Sequence, residues 1–231
     1  MPQYLADIKQ TEFFLNDAEA HHAAVVARHK EGDIIRVFDG TGKQYMGRIE
    51  KVQKKFVRGC LLNPCEVRRP PLDLTLCFVP NSRAGLEEIL DKGTQLGVSV
   101  FLPLVSARSE YDICKKWDGK ADRYRQIMLS ACKQCDTPLL PSILPPVPFR
   151  EAVLQNVPSL LAYEAERTHT VAWGMEQLAH PKAVRIYIGP AGGWSPEEVT
   201  LAQRHNILSV TLGVNILRAE TACIAAAAKL L

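Results

Sequence analysis

Apolar and polar positions change rhythm twice along this chain of 231 residues. Residues 33–50, "DIIRVFDGTGKQYMGRIE", carry alternating apolar residues on both sides of Asp39-Gly40-Thr41-Gly42. That pattern predicts two strands joined by a tight turn. "KKFVRGCLLN", residues 54–63, predicts a third strand. Ahead of them, "DAEAHHAAVVARHK", residues 17–30, predicts a short helix opened by Asn16 or Asp17 as cap. These elements suggest a small barrel or β-rich module. Pro64, Pro70 and Pro71 then mark a stiff linker. The boundary is expected near residue 70, with one domain over 1–69 and another over 70–231.

Beyond the linker the period alternates between strand and helix. Strands are expected at "LDLTLCFVP" (72–80), "VSVFLPLV" (98–105), "SLLAYE" (159–164), "AVRIYIG" (183–189) and "ILSVTLG" (207–213). Helices are expected at 83–97, ending at Gly97, and at 119–135, 170–179, 195–205 and 217–231. A Pro-rich loop is expected at 138–148. Such alternation indicates an α/β fold with a mostly parallel sheet covered on both faces. Its ligand site belongs at the carboxyl ends of the strands.

Composition narrows the class. The chain is 47% hydrophobic and 23% charged, an ordinary globular balance. No apolar run reaches the length of a membrane span. "MPQYLADIKQTEFFLNDAEA" lacks a basic start and an apolar centre, so no secretory signal is expected and the protein is read as cytoplasmic. The net charge of +3 is unevenly placed. Residues 28–69 hold eleven Lys and Arg against five Asp and Glu, whereas residues 70–231 balance at sixteen each. A localised basic field suits a polyanion such as RNA, or it is a solvated surface. Seven cysteines without regular spacing argue against a disulfide framework. The one C-x-x-C, Cys132 to Cys135, lies inside a helical pattern, so a half-buried pair is expected and no metal site.

The chemistry concentrates in "IGPAGGWSPEE", residues 188–198. Gly189, Gly192 and Gly193 follow a strand and allow main chain to approach a ligand. Ser195, Pro196 and Glu198 then predict a capped helix start. Glu197 and Glu198 complement the helix dipole themselves, so a phosphate there would meet two carboxylates. Neither G-K-[ST] nor an early G-x-G-x-x-G is present. A nucleoside ligand with no phosphate and a positive centre suits this loop, and S-adenosylmethionine fits that description. "LGVNILRAETA", residues 212–222, repeats the design after the next strand. The small residues of the last helix permit close packing, either within a buried core or against a partner subunit.

These two motifs in this order resemble the ribosomal RNA uridine-N3 methyltransferases of the RsmE type, in the SPOUT class. "EEILDKGTQLGVSVFLPLVSARS" (87–109) and "AHHAAVVARHKEGDIIRVFDGTGKQY" (20–45) are similar to other parts of the same family. The resemblance implies a small PUA-like β-barrel domain that binds RNA, followed by an α/β domain with a deep trefoil knot. It implies S-adenosyl-L-methionine as cofactor, a uridine of 16S rRNA in the small ribosomal subunit as substrate, and a homodimer. The cofactor pocket it implies is built from Leu161, Tyr163 and Glu164; from Ile188, Gly189, Pro190, Gly192 and Gly193; and from Leu212, Gly213, Ile216, Leu217 and Arg218, with Thr221 and Ala222 behind. Arg218 is the candidate for stabilising an anionic uracil, and Glu220 for accepting its proton. Arg108, Ser109 and Gln134 match family positions that face RNA. Arg28, Lys51, Lys54, Lys55, Arg58, Arg68 and Arg69 are candidate phosphate contacts, while His21 and His22 are read as packing residues. The chain departs from the family at Ala191, usually Glu, and at Asn215, usually Arg. It also departs at Thr137, where the family's "E-A-x-x-Q-s-x-R" ends in Arg, and around Asn81 to Arg83, where a Lys is common. Those losses keep open an RNA-binding or ribosome-assembly protein of the same fold with altered methylation.

Overall fold

The computed structural model describes residues 2–117 and 119–231. The chain divides into two compact units: residues up to Arg68 together with Cys132–Leu140, and Arg69–Ala131 together with Pro141–Leu231.

The first unit is a six-stranded sheet. Its strands are β1 (Gln3–Leu5), β2 (Asp7–Lys9), β3 (Glu12–Asn16), β4 (Ile34–Phe38), β5 (Gln44–Gln53) and β6 (Phe56–Pro64). The order across the sheet is β1-β4-β5-β6-β3-β2, with β1 and β4 parallel and the other pairs antiparallel. β1 and β2 are opposite edges, yet only Ala6 separates them in sequence. One residue spans only a few ångström, so the sheet curls until its edges meet. Tyr4, Phe13, Leu15, Ile35, Val37, Ile49 and Val57 fill the interior. Phe13 is seated on two glycines: a Cβ at Gly47 or at Gly59 would strike its ring, and at Gly59 it would also strike the Arg48 carbonyl.

The helix expected over 17–30 is shorter. α1 spans Asp17–His21 and continues as a π-helical turn over His22–Val26. Asn16 holds the cap position, but its side chain makes no cap bond. A competing network ends the helix: His29 meets the Tyr4 hydroxyl at 3.1 Å and Asp33 at 3.3 Å, and Lys30 N donates to the same Asp33 carboxylate. Residues 132–140 belong here because polar groups of the sheet hold them. Gln3 Nε2 donates to the carbonyls of Cys132 (2.8 Å) and Thr137 (3.2 Å), and Lys133 pairs with Glu19 at 2.7 Å. Burial pushes the Cys132 thiol up to about 12, away from thiolate chemistry.

The second unit is a parallel sheet with helices, one of which runs on through Cys132–Cys135 into the segment grouped with the first unit. Its elements are β7 (Asp73–Phe78), α2 (Arg83–Leu96), β8 (Val100–Val105), α3 (Ile113–Trp117), α4 (Ala121–Cys135), β9 (Ser142–Ile143), β10 (Val147–Pro148), α5 (Phe149–Ala152), β11 (Ser159–Ala162), α6 (Val171–Gln177), β12 (Ala183–Ile188), α7 (Pro196–Arg204), β13 (Leu208–Val210) and α8 (Ala219–Leu230). The order is β10-β8-β7-β12-β11-β13, with β9 also on β8, and every pair is parallel. β9 and β10 lie inside the segment expected to be loop, because the edge of β8 offers its prolines' neighbours main-chain partners. Ser82 caps α2 by accepting from Gly85 N at 3.0 Å, and Gly97 closes it in a left-handed conformation, φ +99°. α8 returns onto α2, α6 and the central strands β7 and β12. Among the described residues, no helix is long and apolar enough to cross a membrane.

The Phe13 seat yields a test. Gly59→Ala should destabilise the protein by about 2 kcal/mol or more, as overpacked cores do, read as a lowered urea midpoint. Gly192→Ala, at an exposed glycine outside the left-handed region whose Cβ would meet Arg108 only at 3.7 Å, should shift it far less.

Candidate active site

The carboxyl ends of β11, β12 and β13 lead into three loops, and a cavity of about 270 Å³ opens where they meet. Twelve of the expected pocket residues line it: Tyr163, Glu164, Ile188, Gly189, Pro190, Gly192, Gly193, Leu212, Gly213, Ile216, Leu217 and Ala222. Three do not. Leu161 points to the other face of β11 and is fully buried in the core with Trp194 and Tyr187. Arg218 is exposed as the N-cap of α8, and Thr221 is exposed on the outside of that helix. Ala162, Arg167, Ala191, Thr211, Asn215 and Ala219 line the cavity without having been expected there. Five of these directly adjoin expected residues in sequence. Arg167 lies beyond the strand, where no periodicity marks a direction.

The glycine loop has an internal scaffold. Trp194 is buried beneath it, donates from Nε1 to the Ala162 carbonyl at 3.0 Å and stacks near Phe149 with centroids 4.5 Å apart. Gly189 rests on the indole, 3.0 Å from where a Cβ would stand. Gly193 has φ +68°, and a Cβ there would overlap the Glu164 carboxylate. Gly192 differs, since its Cβ direction faces Arg108 at 3.7 Å in ordinary contact.

The helix start forms as expected. Glu198 N donates to Ser195 Oγ at 3.2 Å, and Ser195 N donates to Glu198 Oε2 at 2.9 Å. Glu198 does more than cap. Its Oε1 accepts from Ala107 N at 2.9 Å, tying the loop after β8 to α7. From that loop Arg108 Nη1 donates to the Gly192 carbonyl at 2.8 Å. Ser109 is internal to the turn, its Oγ accepting from Ser106 N at 2.8 Å.

The loop after β11 is organised by Glu166. Its carboxylate accepts from Thr168 N (2.7 Å) and His169 N (3.1 Å) and meets His169 Nδ1 at 3.0 Å. The backbone N–H of Thr168, then that of His169, draw its pKa down to about 2. His169 in turn stacks on Trp173 at 3.9 Å.

Of the two catalytic candidates, Arg218 stands between the lining residues Leu217 and Ala219. Glu220 does not line the cavity. Its Oε1 lies 2.6 Å from where a Cβ of Gly85 on α2 would stand, and its Oε2 is buried without a partner. The small residues of α8, including Ala222, Ala226 and Ala227, are buried within the unit itself, which accounts for their size. In the first unit, Lys51 pairs across from Arg58 in the β5–β6 hairpin, and Lys54 and Lys55 form its turn. These four side chains are exposed, as are Arg28, Arg68, Arg69 and Gln134. His21 is exposed, while His22 packs its ring 5.6 Å from Tyr4.

A parallel sheet whose late glycine loops enclose a nucleoside-sized cavity, together with a curled RNA-module sheet, defines an RNA-modifying methyltransferase. Residues 68–231 match a family described as RNA methyltransferase domain, and residues 15–59 match the RNA methyltransferase PUA domain. The chain belongs to this family of RNA methyltransferases. It is 28% identical over 212 residues to ribosomal RNA small subunit methyltransferase E of Synechocystis sp., covering 90% of this chain and 69% of the relative. The Bacillus subtilis protein of that name is 29% identical over 221 residues, covering 91% of this chain and 86% of its own. The solved ribosomal RNA small subunit methyltransferase E of Neisseria gonorrhoeae, bound to S-adenosyl methionine, superposes with a TM-score of 0.87 at 28% identity, over 100% of this chain and 96% of that one.

Acid should loosen the loop after β11. A carboxylate with a depressed folded pKa stabilises the protein above its unfolded value, about 4.3, and that contribution disappears as pH falls towards 2. Glu166→Gln should flatten the fall in the unfolding midpoint over that window. Part of the slope should persist through Glu87, drawn down to about 2 by Arg123 and Arg83.

Proposed function

We propose that this protein transfers a methyl group from S-adenosylmethionine to a uridine of 16S rRNA in the small ribosomal subunit, at N3 of the base. One observation carries the cofactor reading: the cavity after β11, β12 and β13 is walled mainly by main chain and apolar side chains, with carboxylates at the adjoining helix start. That lining suits an adenosine and repels a phosphate. At Gly193 the Glu164 carboxylate takes the place a side chain would need, so this corner of the cavity is kept by a glycine. Family membership and the relatives' names support rRNA as substrate. The exposed basic hairpin of the first unit supports a PUA-like RNA-binding role for residues 1–69, with residues 70–231 as the methyltransferase domain.

When bound, the cofactor supplies an electrophilic methyl on a sulfonium. The chain's own contribution is positioning and electrostatics. N3 of uracil becomes nucleophilic as its proton leaves, and negative charge then spreads to the ring carbonyls. Arg218, an exposed cation at the mouth of the cavity, stabilises that charge. Arg108 holds the glycine loop through the Gly192 carbonyl. Glu220, whose buried Oε2 has no hydrogen-bond partner, is the candidate to accept that proton. A base within folded rRNA must also leave its stack to reach the cavity.

The return of α8 over β7 and β12 supports the trefoil knot of the SPOUT class. Val214 (93% exposed) and Ile216 (76%) beside the cavity support a homodimer that covers them. The protein works in the cytoplasm, where ribosomal subunits are assembled.

Two measurements test this reading. Mass mapping of rRNA from a strain lacking the protein should show one N3-methyluridine lost from 16S rRNA, restored by the wild-type chain and not by Arg218→Ala. Persistence of the mark, or loss of a different one, overturns it. Calorimetry should show one S-adenosylmethionine bound per chain. Gly193→Val, which combines a positive φ with collision against Glu164, should abolish that binding while the unfolding free energy from urea titration stays within about 2 kcal/mol of wild type. Absence of binding by the wild type would favour an assembly factor instead, in keeping with Ala191 and Asn215 in the cavity wall.

A further inference from the structure

Two of the residues lining the cavity are charged, Glu164 and Arg167, and their charges are opposite. Both lie on the loop after β11, where Glu166 N donates to the Tyr163 carbonyl and turns the chain. Three residues apart, they could pair with each other, but no ion pair joins them. Neither side chain takes part in any hydrogen bond with a described group. The loop's other charges behave differently: Glu166 is held by two backbone N–H groups and His169. The Glu164 carboxylate is directed across to the glycine loop, where it occupies the space a side chain at Gly193 would need. The other residues lining the cavity are uncharged, so its wall presents one free anion and one free cation on a single loop.

That pattern matches a zwitterion. An α-amino acid carries its ammonium and carboxylate on one carbon, and each needs a partner of opposite sign. A guanidinium is the side chain best shaped to hold a carboxylate through two parallel hydrogen bonds. We propose that Arg167 and Glu164 clamp the amino-acid end of the cofactor, Arg167 on its carboxylate and Glu164 on its ammonium. This inference rests on the reading that the cavity takes S-adenosylmethionine. It divides the pocket by chemistry: main chain of the β12 and β13 loops for the adenosine, and the β11 loop for the methionine end.

A pair of ligands isolates the clamp. S-adenosylhomocysteine and 5′-methylthioadenosine share the adenosine and a thioether sulfur, but only the first has the amino-acid group. Calorimetry on the full chain should show S-adenosylhomocysteine weakened about tenfold or more by Arg167→Gln and by Glu164→Gln, as expected for loss of a charged hydrogen bond, with 5′-methylthioadenosine changed less than about twofold. Equal weakening of both ligands overturns the clamp, because the residues would then serve the adenosine or the loop itself. Unchanged affinity for both also overturns it. So does a loss confined to RNA affinity in Arg167→Gln, which would make that residue a phosphate contact. A wild-type chain that binds neither ligand refutes the reading of the cavity, and the clamp with it.

Discussion

A single buried carboxylate ties the loop after β8 to the helix start after β12. Glu198 accepts from Ser195 N at the start of α7 and from Ala107 N after β8. It therefore fixes the helix that follows the glycine loop and the loop that carries Arg108, which reaches back to the Gly192 carbonyl. A buried acceptor left without donors is expensive, so each of these bonds supports the others. Trp194 completes the arrangement from below by joining the loop to the end of β11. The cavity needs this rigidity because so much of its wall is main chain, which has no side-chain freedom to adapt.

The two units divide the chemistry in a way the charge distribution already indicates. The first concentrates exposed cations on a hairpin. The second keeps its charges balanced and its cavity largely apolar. Arg218 stands in sequence between two residues of that cavity's wall, exposed as the N-cap of α8.

What the sequence made legible is what local rules control. The capping box at Ser195 and Glu198, the left-handed stop at Gly97 and the strands β7, β8, β11, β12 and β13 follow from turn chemistry and period. Turn chemistry marked the two glycine loops after the late strands, while the residue-by-residue wall of the cavity came from the family resemblance. The failures have physical causes. β1 to β3 are three to five residues long and exist because the curled sheet pairs them, which no period reveals. The first helix stops early because His29 and Asp33 bond elsewhere. Nothing in periodicity marks residues 132–140 as clustering with the first unit, since Gln3, far away in sequence, supplies their partners. Leu161 and Thr221 were misplaced by direction alone, one by the alternation of a strand and the other by the turn of a helix. Arg167 was missed because a lone charge on a loop has no pattern.

The pairing of β7 with β12 has a consequence for biogenesis. Residues 73–78 find their partner only at 183–188, so the middle of the sheet closes late in synthesis. Until then the emerging polypeptide presents β7 with an open, apolar flank, and the return of α8 must wait longer still. High contact order of this kind slows folding and prolongs the interval in which chaperones are needed. Cofactor recognition is thereby deferred until nearly all of this sequence has left the ribosomal exit tunnel.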